Sequence, residues 1–509
     1  MQWLNKIVDE LVERHPDGKV VIESGISPSG KYHMGYLREI LTCEAVLLEL
    51  RHRGRDAEHI HFVDDQDGFR KVPVNLPEAY QKYLGRPLCD MPAPDGSSQS
   101  YADYALNPFL SSVKDLGVDM TPMRSHLKYR AGFFTSAIEI VLDNIVKVKE
   151  VLEQVSGRQV GEDWSPIQVN EGGYLKKRAF VAMDKTTKTI KYIDKNGQEQ
   201  TVKYDAGLVK LDWRLDWPAR WWLLGIKAEP FGRDHATKGG SYDTGKELIK
   251  KIFKSSAPMP IPYEFINRAG DTKKMSASKG NGIEFSEVVR VLPSEVVRYF
   301  VFRFPPSKTL VFDPTEGVVR LIDEYSALLA KQDKTTDELR LIDLSTNGVK
   351  SIVSRVPFSH LVASYQASLK DVDKTLEVIR RTEYSQVVDE DAEIIKSELK
   401  YIDEWLNRWA PEDVKFDLVE QINAGQFNER EKSFLKTLGA KIADAPKGAD
   451  GEWFHQAIYD LRDSSGLTPK AMFSAIYRSI IGKSSGPRAG YFLSILPREW
   501  LVKRLKLEN

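Results

Sequence analysis

Cysteine is nearly missing: Cys43 and Cys89 are the only two in 509 residues. That excludes a disulfide framework and a thiolate zinc site, each of which needs several cysteines at set spacing. Long apolar runs are missing too, and nothing approaches the roughly 20 uninterrupted apolar residues of a membrane span. The chain also lacks an excess of either charge, with Lys plus Arg and Asp plus Glu at 73 each. No global basic bias therefore announces nucleic acid, although a local patch suffices to hold one. There is no low-complexity segment and no internal repeat. The first residues, MetGlnTrpLeuAsnLysIleValAspGlu, carry acidic groups and read as an amphipathic helix rather than a signal peptide. These absences point to a soluble, cytoplasmic protein, and the length asks for two or more domains.

What the chain has is two short segments suited to phosphate. LysValValIleGlu at 19–23 is a β-branched run and reads as a buried strand. SerGlyIleSerProSerGlyLysTyrHisMetGlyTyr at 24–36 follows, and from Leu37 the apolar residues Leu37, Ile40, Leu41, Ala45 and Leu48 recur at helical spacing up to Gly54. In such a strand, turn and helix unit, small residues let backbone N–H groups approach an anion at the helix N-terminus. His33 at the helix entrance can donate a hydrogen bond to a phosphate oxygen as charge develops there. Far downstream, LysLysMetSerAlaSerLysGlyAsn at 273–281 reads as a mobile cationic loop, flanked by Asp271, Thr272 and Gly282. A loop of this kind suits a site that closes on a triphosphate and reopens.

Pro28, Gly30, His33 and Gly35 in the pattern PxGxxHxG resemble the HIGH region of class I aminoacyl-tRNA synthetases, and Lys274, Met275, Ser276 and Ser278 resemble their KMSKS loop. Two positions depart from the pattern: Tyr36 stands at the last place of the first motif, and Ala277 at the fourth of the second. Tyr36 can donate one hydrogen bond but cannot act as a cation. Between the motifs lie AspTrpArgLeuAspTrpProAlaArgTrpTrp at 212–222 and GluProPheGlyArgAspHisAlaThrLysGlyGlySerTyrAspThrGly at 229–245, and GlyProArgAlaGly follows at 486–490. With SerGlyIleSerProSerGly, they make most of the chain similar to the class I lysyl-tRNA synthetases, in the glutamyl-type subgroup.

The resemblance implies a lysine–tRNA ligase that binds ATP through Pro28, Ser29, Gly30, His33, Gly35 and Tyr36, and through Lys274, Met275, Ser276, Ala277 and Ser278. His33 and Lys274 would be catalytic. Gly25, Ser27, Trp213, Asp234, His235 and Tyr263 would line the lysine pocket, where aromatic faces can flank the butyl stem and attract the ammonium. Asp234 and Asp216 are both candidates for the opposing carboxylate. Trp217, Trp221 and Trp222 read as core packing. Lysine, ATP and tRNA(Lys) are the implied partners, magnesium comes with the ATP, and no zinc and no membrane are expected. A monomer is expected, and whether tRNA is needed for the activation step stays open. Two alternatives compete: another HxGH nucleotidyltransferase, and a non-catalytic tRNA-binding paralogue, which Tyr36 favours.

The fold class expected is α/β: a Rossmann-type parallel-sheet catalytic domain at 1–65 and 206–270, split by an inserted α+β region at 66–205. The insertion would bind the tRNA acceptor end with an amphipathic helix at 134–155 and a hairpin at 178–204 turning at AsnGly 196–197. Residues 271–315 would hold the KMSKS loop and connecting helices, with a helix opening at Ser294 and Glu295. Residues 316–509 would form an α-helical anticodon-binding domain. In AspAspGlnAspGlyPheArgLysValPro at 64–73, three close carboxylates suggest a cation site. The resemblance reads that stretch as a crossover with no metal.

Overall fold

The computed structural model describes residues 1–508 apart from 75, 158, 162–163, 175–178, 272–274 and 276–281. Lys274, Ser276, Ala277 and Ser278 thus lie outside the described residues, and Met275 within them is buried.

Helix α1 (Gln2–Arg14) buries Leu4, Val8 and Leu11, one stripe at helical spacing. Strand β1 (Val20–Ile26) runs into the Ser27–Lys31 turn, and α2 (Leu37–His52) leaves it. β2 (Ala57–Val63) pairs with β1 in parallel, from Val20 opposite Ala57 to Ile26 opposite Val63. After α3 (Tyr101–Asp115), β3 (Thr121–Arg124) adds to the far side of β2. The sheet thus takes its edge strand from within the stretch expected to be inserted. α4 (Ser125–Arg130) follows β3 directly.

The expected helix at 134–155 is two helices, α5 (Thr135–Asp143) and α6 (Ile145–Ser156). Asn144 separates them with φ −117° and ψ 24°, and its side-chain amide donates to the Ile140 carbonyl at 2.8 Å. A short amide that bonds its own backbone competes with the helical ladder. β4 (Ile167–Val169) then precedes a three-stranded antiparallel meander, β5 (Ala179–Asp184), β6 (Thr189–Ile193) and β7 (Glu199–Lys203), where the sequence suggested a single hairpin. Asn196 and Gly197 turn its second half, with Gly197 at φ +79°. β8 (Val209–Leu211) returns antiparallel to β4.

α7 (Trp213–Leu224), β9 (Ala228–Gly232), α8 (Ser241–Lys251) and β10 (Met259–Tyr263) complete the catalytic layer. The strand order β10-β9-β1-β2-β3 is that of an open parallel sheet. Its central strands are buried on both faces except at Val21, Gly25 and Glu58, and they carry buried polar groups, Glu23, Ser24, His59, His61 and Glu229, among their apolar residues. One core cluster connects Phe62 of β2 with Phe134 at the start of α5, Ile138 and Val141 of α5, Trp217 and Trp221 of α7, and Phe231 of β9.

Two compact units divide the chain: residues 1–289, 297–312 and 339–348 form one, and 290–296, 313–338 and 349–509 the other. In the first, the 339–348 segment is tied to α2, with Arg340 Nη2 at 2.8 Å from Glu49 Oε2. Arg298 donates to the Leu344 carbonyl at 3.0 Å. The second unit is helical. Its core joins Phe434, Leu435 and Leu438 to Ile476, Ile480, Phe492 and Leu501. Its helix Glu429–Ala443 opens on a capping box of Asn428 and Glu431. Glycines there permit a close helix crossing, because a Cβ on Gly490 would collide with the Gly451 carbonyl.

Candidate active site

The carboxyl ends of β1, β9 and β10 open on one cavity of about 660 Å³, the place where an open α/β sheet binds ligands. Gly25, Ser27, Trp213, Asp234, His235 and Tyr263 all line it, so the six residues expected around lysine meet in one space. Ser29 and Tyr36 of the first motif line it as well. Pro28, Gly30, His33 and Gly35 belong to the adjoining turn instead.

That turn is shaped around His33. Its Nδ1 accepts the Gly35 N–H at 3.1 Å, so the neutral ring carries its proton on Nε2 and presents a donor. Burial holds the imidazole down to about 4, which keeps it neutral near pH 7. A Cβ at Gly35 would stand 2.7 Å from the ring, which explains why a glycine follows two places after the histidine. The stretch after the second motif joins the same turn. His33 and Glu284 form an antiparallel bridge. Met34 N–H donates to the Ile283 carbonyl at 2.9 Å, and Phe285 N–H to that of Tyr32 at 3.1 Å. Lys31 pairs with Glu284 at 2.7 Å. Gly282 lies so close that a Cβ there would approach His33 Cβ to 2.5 Å. The two motifs, far apart in sequence, are therefore tied at their bases.

The pocket floor is acidic. Glu39 lines it, accepting the Gly25 N–H at 2.8 Å and the Tyr263 hydroxyl at 2.6 Å. Burial pushes its carboxyl up to about 7, against the pull of those two donors. Glu229 accepts the Trp217 indole N–H at 2.6 Å on one oxygen and that of Trp221 on the other. Trp217 and Trp221 are thus more than packing, although both are buried in the core cluster. Trp213 stacks on Trp217 with ring centroids 5.5 Å apart, and His235 stands 5.7 Å from each.

Arg220 is the buried cation of this floor. It reaches Asp64 at 3.2 Å, Asp216 at 3.4 Å and Glu23 at 3.5 Å, with its guanidinium 4.3 Å from the centre of the Phe62 ring. Burial raises Glu23 and Asp64 each to about 7 even so. Asp216 also meets Lys210 at 3.1 Å and accepts the Tyr129 hydroxyl at 2.5 Å. Its charge is spent inside the core and it does not line the cavity. Of the two candidates for the ammonium partner, only Asp234 is at the cavity wall.

The acidic triple at 64–67 is likewise partnered. Asp64 has Arg220, Asp67 has Lys210 at 3.1 Å, and Asp65 faces the Arg124 guanidinium and the His126 ring, each at 2.5 Å. Glu39, Arg220 and Glu229 escaped the sequence reading. Their signal was a charge placed within an apolar helix or strand, which demands a buried partner.

The family model for class I tRNA synthetases (K) matches residues 1–346. The chain belongs to that family. It is 35% identical to lysine–tRNA ligase 1 of Methanosarcina acetivorans over 99% of this chain and 98% of that protein. It is 36% identical to the lysine–tRNA ligase of Archaeoglobus fulgidus over 99% of both. Among solved structures, it is similar to a glutamate tRNA ligase from Elizabethkingia meningosepticum, with a TM-score of 0.42 and 13% identity over 96% of this chain and 98% of that one. Among the described residues, no helix is long and apolar enough to cross a membrane.

Proposed function

We propose that the chain is a lysine–tRNA ligase. The lysine carboxylate attacks the α-phosphate of ATP, diphosphate leaves, and the 2′-hydroxyl of the terminal tRNA adenosine then takes the lysyl group and releases AMP. The observation that carries this reading is the convergence of Gly25, Ser27, Trp213, Asp234, His235 and Tyr263 on one cavity with an acidic floor.

Glu39 is the carboxylate we assign to the lysine side-chain ammonium. Asp64 faces Arg220 and Glu229 is buried beneath two indoles, whereas Glu39 is only half-buried at the cavity and is held by one amide and one phenol. Two neutral donors aim a carboxylate without neutralising it, and an ammonium supplies the missing charge. Trp213 and His235 flank the aliphatic stem, and Asp234 stands at the wall for the α-amino end. His33 donates from Nε2 to the phosphate as charge builds, and Lys274 neutralises the departing diphosphate. No covalent enzyme intermediate is involved: positioning and electrostatics carry the transfer. Magnesium enters with ATP, bridging its phosphates as part of that substrate. The inserted region grips the acceptor end, the helical region from about 316 reads the anticodon, and the enzyme acts as a cytoplasmic monomer.

The test is aminoacylation of lysine tRNA with a panel of amino acids. Charging with lysine alone is expected; robust charging with glutamate or arginine and none with lysine would sink the specificity.

A further inference from the structure

The lining of the cavity includes two cations on a segment that the residues of lysine activation leave unused: Arg70 and Lys71, in the stretch 67–73. The third cation of the lining, Arg220, is buried among three carboxylates. The Arg70 side chain is 77% exposed, and its one ion-pair partner among the described residues, Asp67, is 3.7 Å away and already held by Lys210. Lys71 is exposed and has no ion-pair partner among the described residues.

The backbone beneath the pair is anchored. Gly68 bridges Pro87, Phe69 exchanges hydrogen bonds with Arg86 and Gly85 at 2.8 Å each, and Leu88 N–H donates to the Asp67 carbonyl at 3.0 Å. Phe69 is buried against Tyr101 with centroids 5.8 Å apart, and a Cβ on Gly68 would press on Tyr174 at 3.1 Å and on the Gly85 carbonyl at 3.2 Å. Two solvated cations therefore project from a fixed strap at the mouth of the cavity. An anion that arrives from solvent meets them without the cost of desolvating a buried charge.

We propose that Arg70 and Lys71 bind the phosphodiesters of the tRNA 3′-terminal nucleotides and guide that end into the cavity; this rests on the ligase reading. ATP is the other polyanion of the reaction. Its phosphates have a separate place, at the His33 donor and the loop tied to that turn through 282–285. The strap instead follows the carboxyl end of β2 and leads into the stretch between β2 and α7.

The test uses the full chain with Arg70→Gln and Lys71→Gln together, in steady-state charging with tRNA, ATP and lysine varied in turn. KM for tRNA should rise about tenfold while the KM values for ATP and lysine stay within about twofold, and the slope of log kcat/KM for tRNA against log salt should flatten by roughly 1.4, about 0.7 for each single-strand phosphate. The charge-preserving pair Arg70→Lys and Lys71→Arg should restore most of the loss. A tRNA lacking its three terminal nucleotides should bind wild type and variant equally. A raised KM for ATP or lysine with tRNA unaffected, an equal loss on the truncated tRNA, or no change at all would each overturn the proposal. A wild-type protein that fails to charge lysine would instead overturn the ligase reading.

Discussion

At the scale of single residues, two side chains owe their chemistry to burial. His33 is kept neutral and its Gly35 hydrogen bond fixes the proton on Nε2, so the ring presents a directed donor rather than a cation. His33→Ala should lower adenylate formation by roughly 10²–10³, the loss typical of one transition-state donor, with little change in lysine affinity. Pyrophosphate exchange measures it, with tRNA present; wild-type exchange would remove His33 from the chemistry. Burial lifts the Glu39 carboxyl to about 7, so on the assignment proposed above an ammonium arriving below that pH must first displace a proton. KM for lysine is therefore expected to fall about tenfold per pH unit as pH rises toward 7 and to level off above it. Glu39→Gln should raise that KM and flatten its pH dependence, and a variant with an unchanged profile would return the ammonium to Asp234.

At the scale of elements, packing decides whether the motifs work together. Gly282 lies against His33, so Gly282→Ala must shift the turn or the loop base. Adenylate formation should drop by at least about tenfold while thermal unfolding hardly moves, since a misplacement of about 1 Å is costly to chemistry and cheap to folding. Loss of stability in place of rate would show that the contact is only structural. Arg220 is a structural keystone of another kind, joining α7 to Glu23 of β1 and to Asp64 just past β2, and meeting Asp216 of its own helix. Arg220→Leu should destabilise by about 3–5 kcal/mol, because it leaves buried acids without their shared cation. Urea unfolding reads this, and a midpoint equal to wild type would mean those acids are already neutral in the native protein.

For the whole molecule, the seam between the compact units differs from the boundary expected at 316. Residues 339–348 belong with the catalytic unit, where Arg340 meets Glu49 and Leu344 meets Arg298. A chain cut at 316 would leave Glu49 and Arg298 without those partners, so truncation after 348 is the better test of the helical region. The 1–348 fragment should bind ATP and lose most charging of intact tRNA. Anticodon substitutions should alter charging by the full protein and not by the fragment. Equal effects on both would refute the anticodon assignment. The seam is invisible to sequence periodicity, since 336–346 has the same helical pattern as its neighbours and only contacts assign it.

The sequence by itself determined what is local. The strand, turn and helix around His33, the helix opening at Ser294 and the helical second half were legible, because apolar spacing and turn residues act within a few residues along the chain, while the Trp213, Asp234 and His235 positions came from the resemblance to the class I lysyl-tRNA synthetases. It misread the places where a side chain competes with its own backbone, as Asn144 does by ending α5. Only the tertiary structure decided which charges are paired inside the core and which line the cavity. Asp216 and Asp234 look alike in sequence, yet one is absorbed by Arg220 and Lys210 while the other lines the cavity. Glu39 drew no notice in a helix of apolar residues, and it is the carboxylate held by Gly25 and Tyr263. Desolvation and ion pairing act through space, so their outcome depends on residues that only folding brings together.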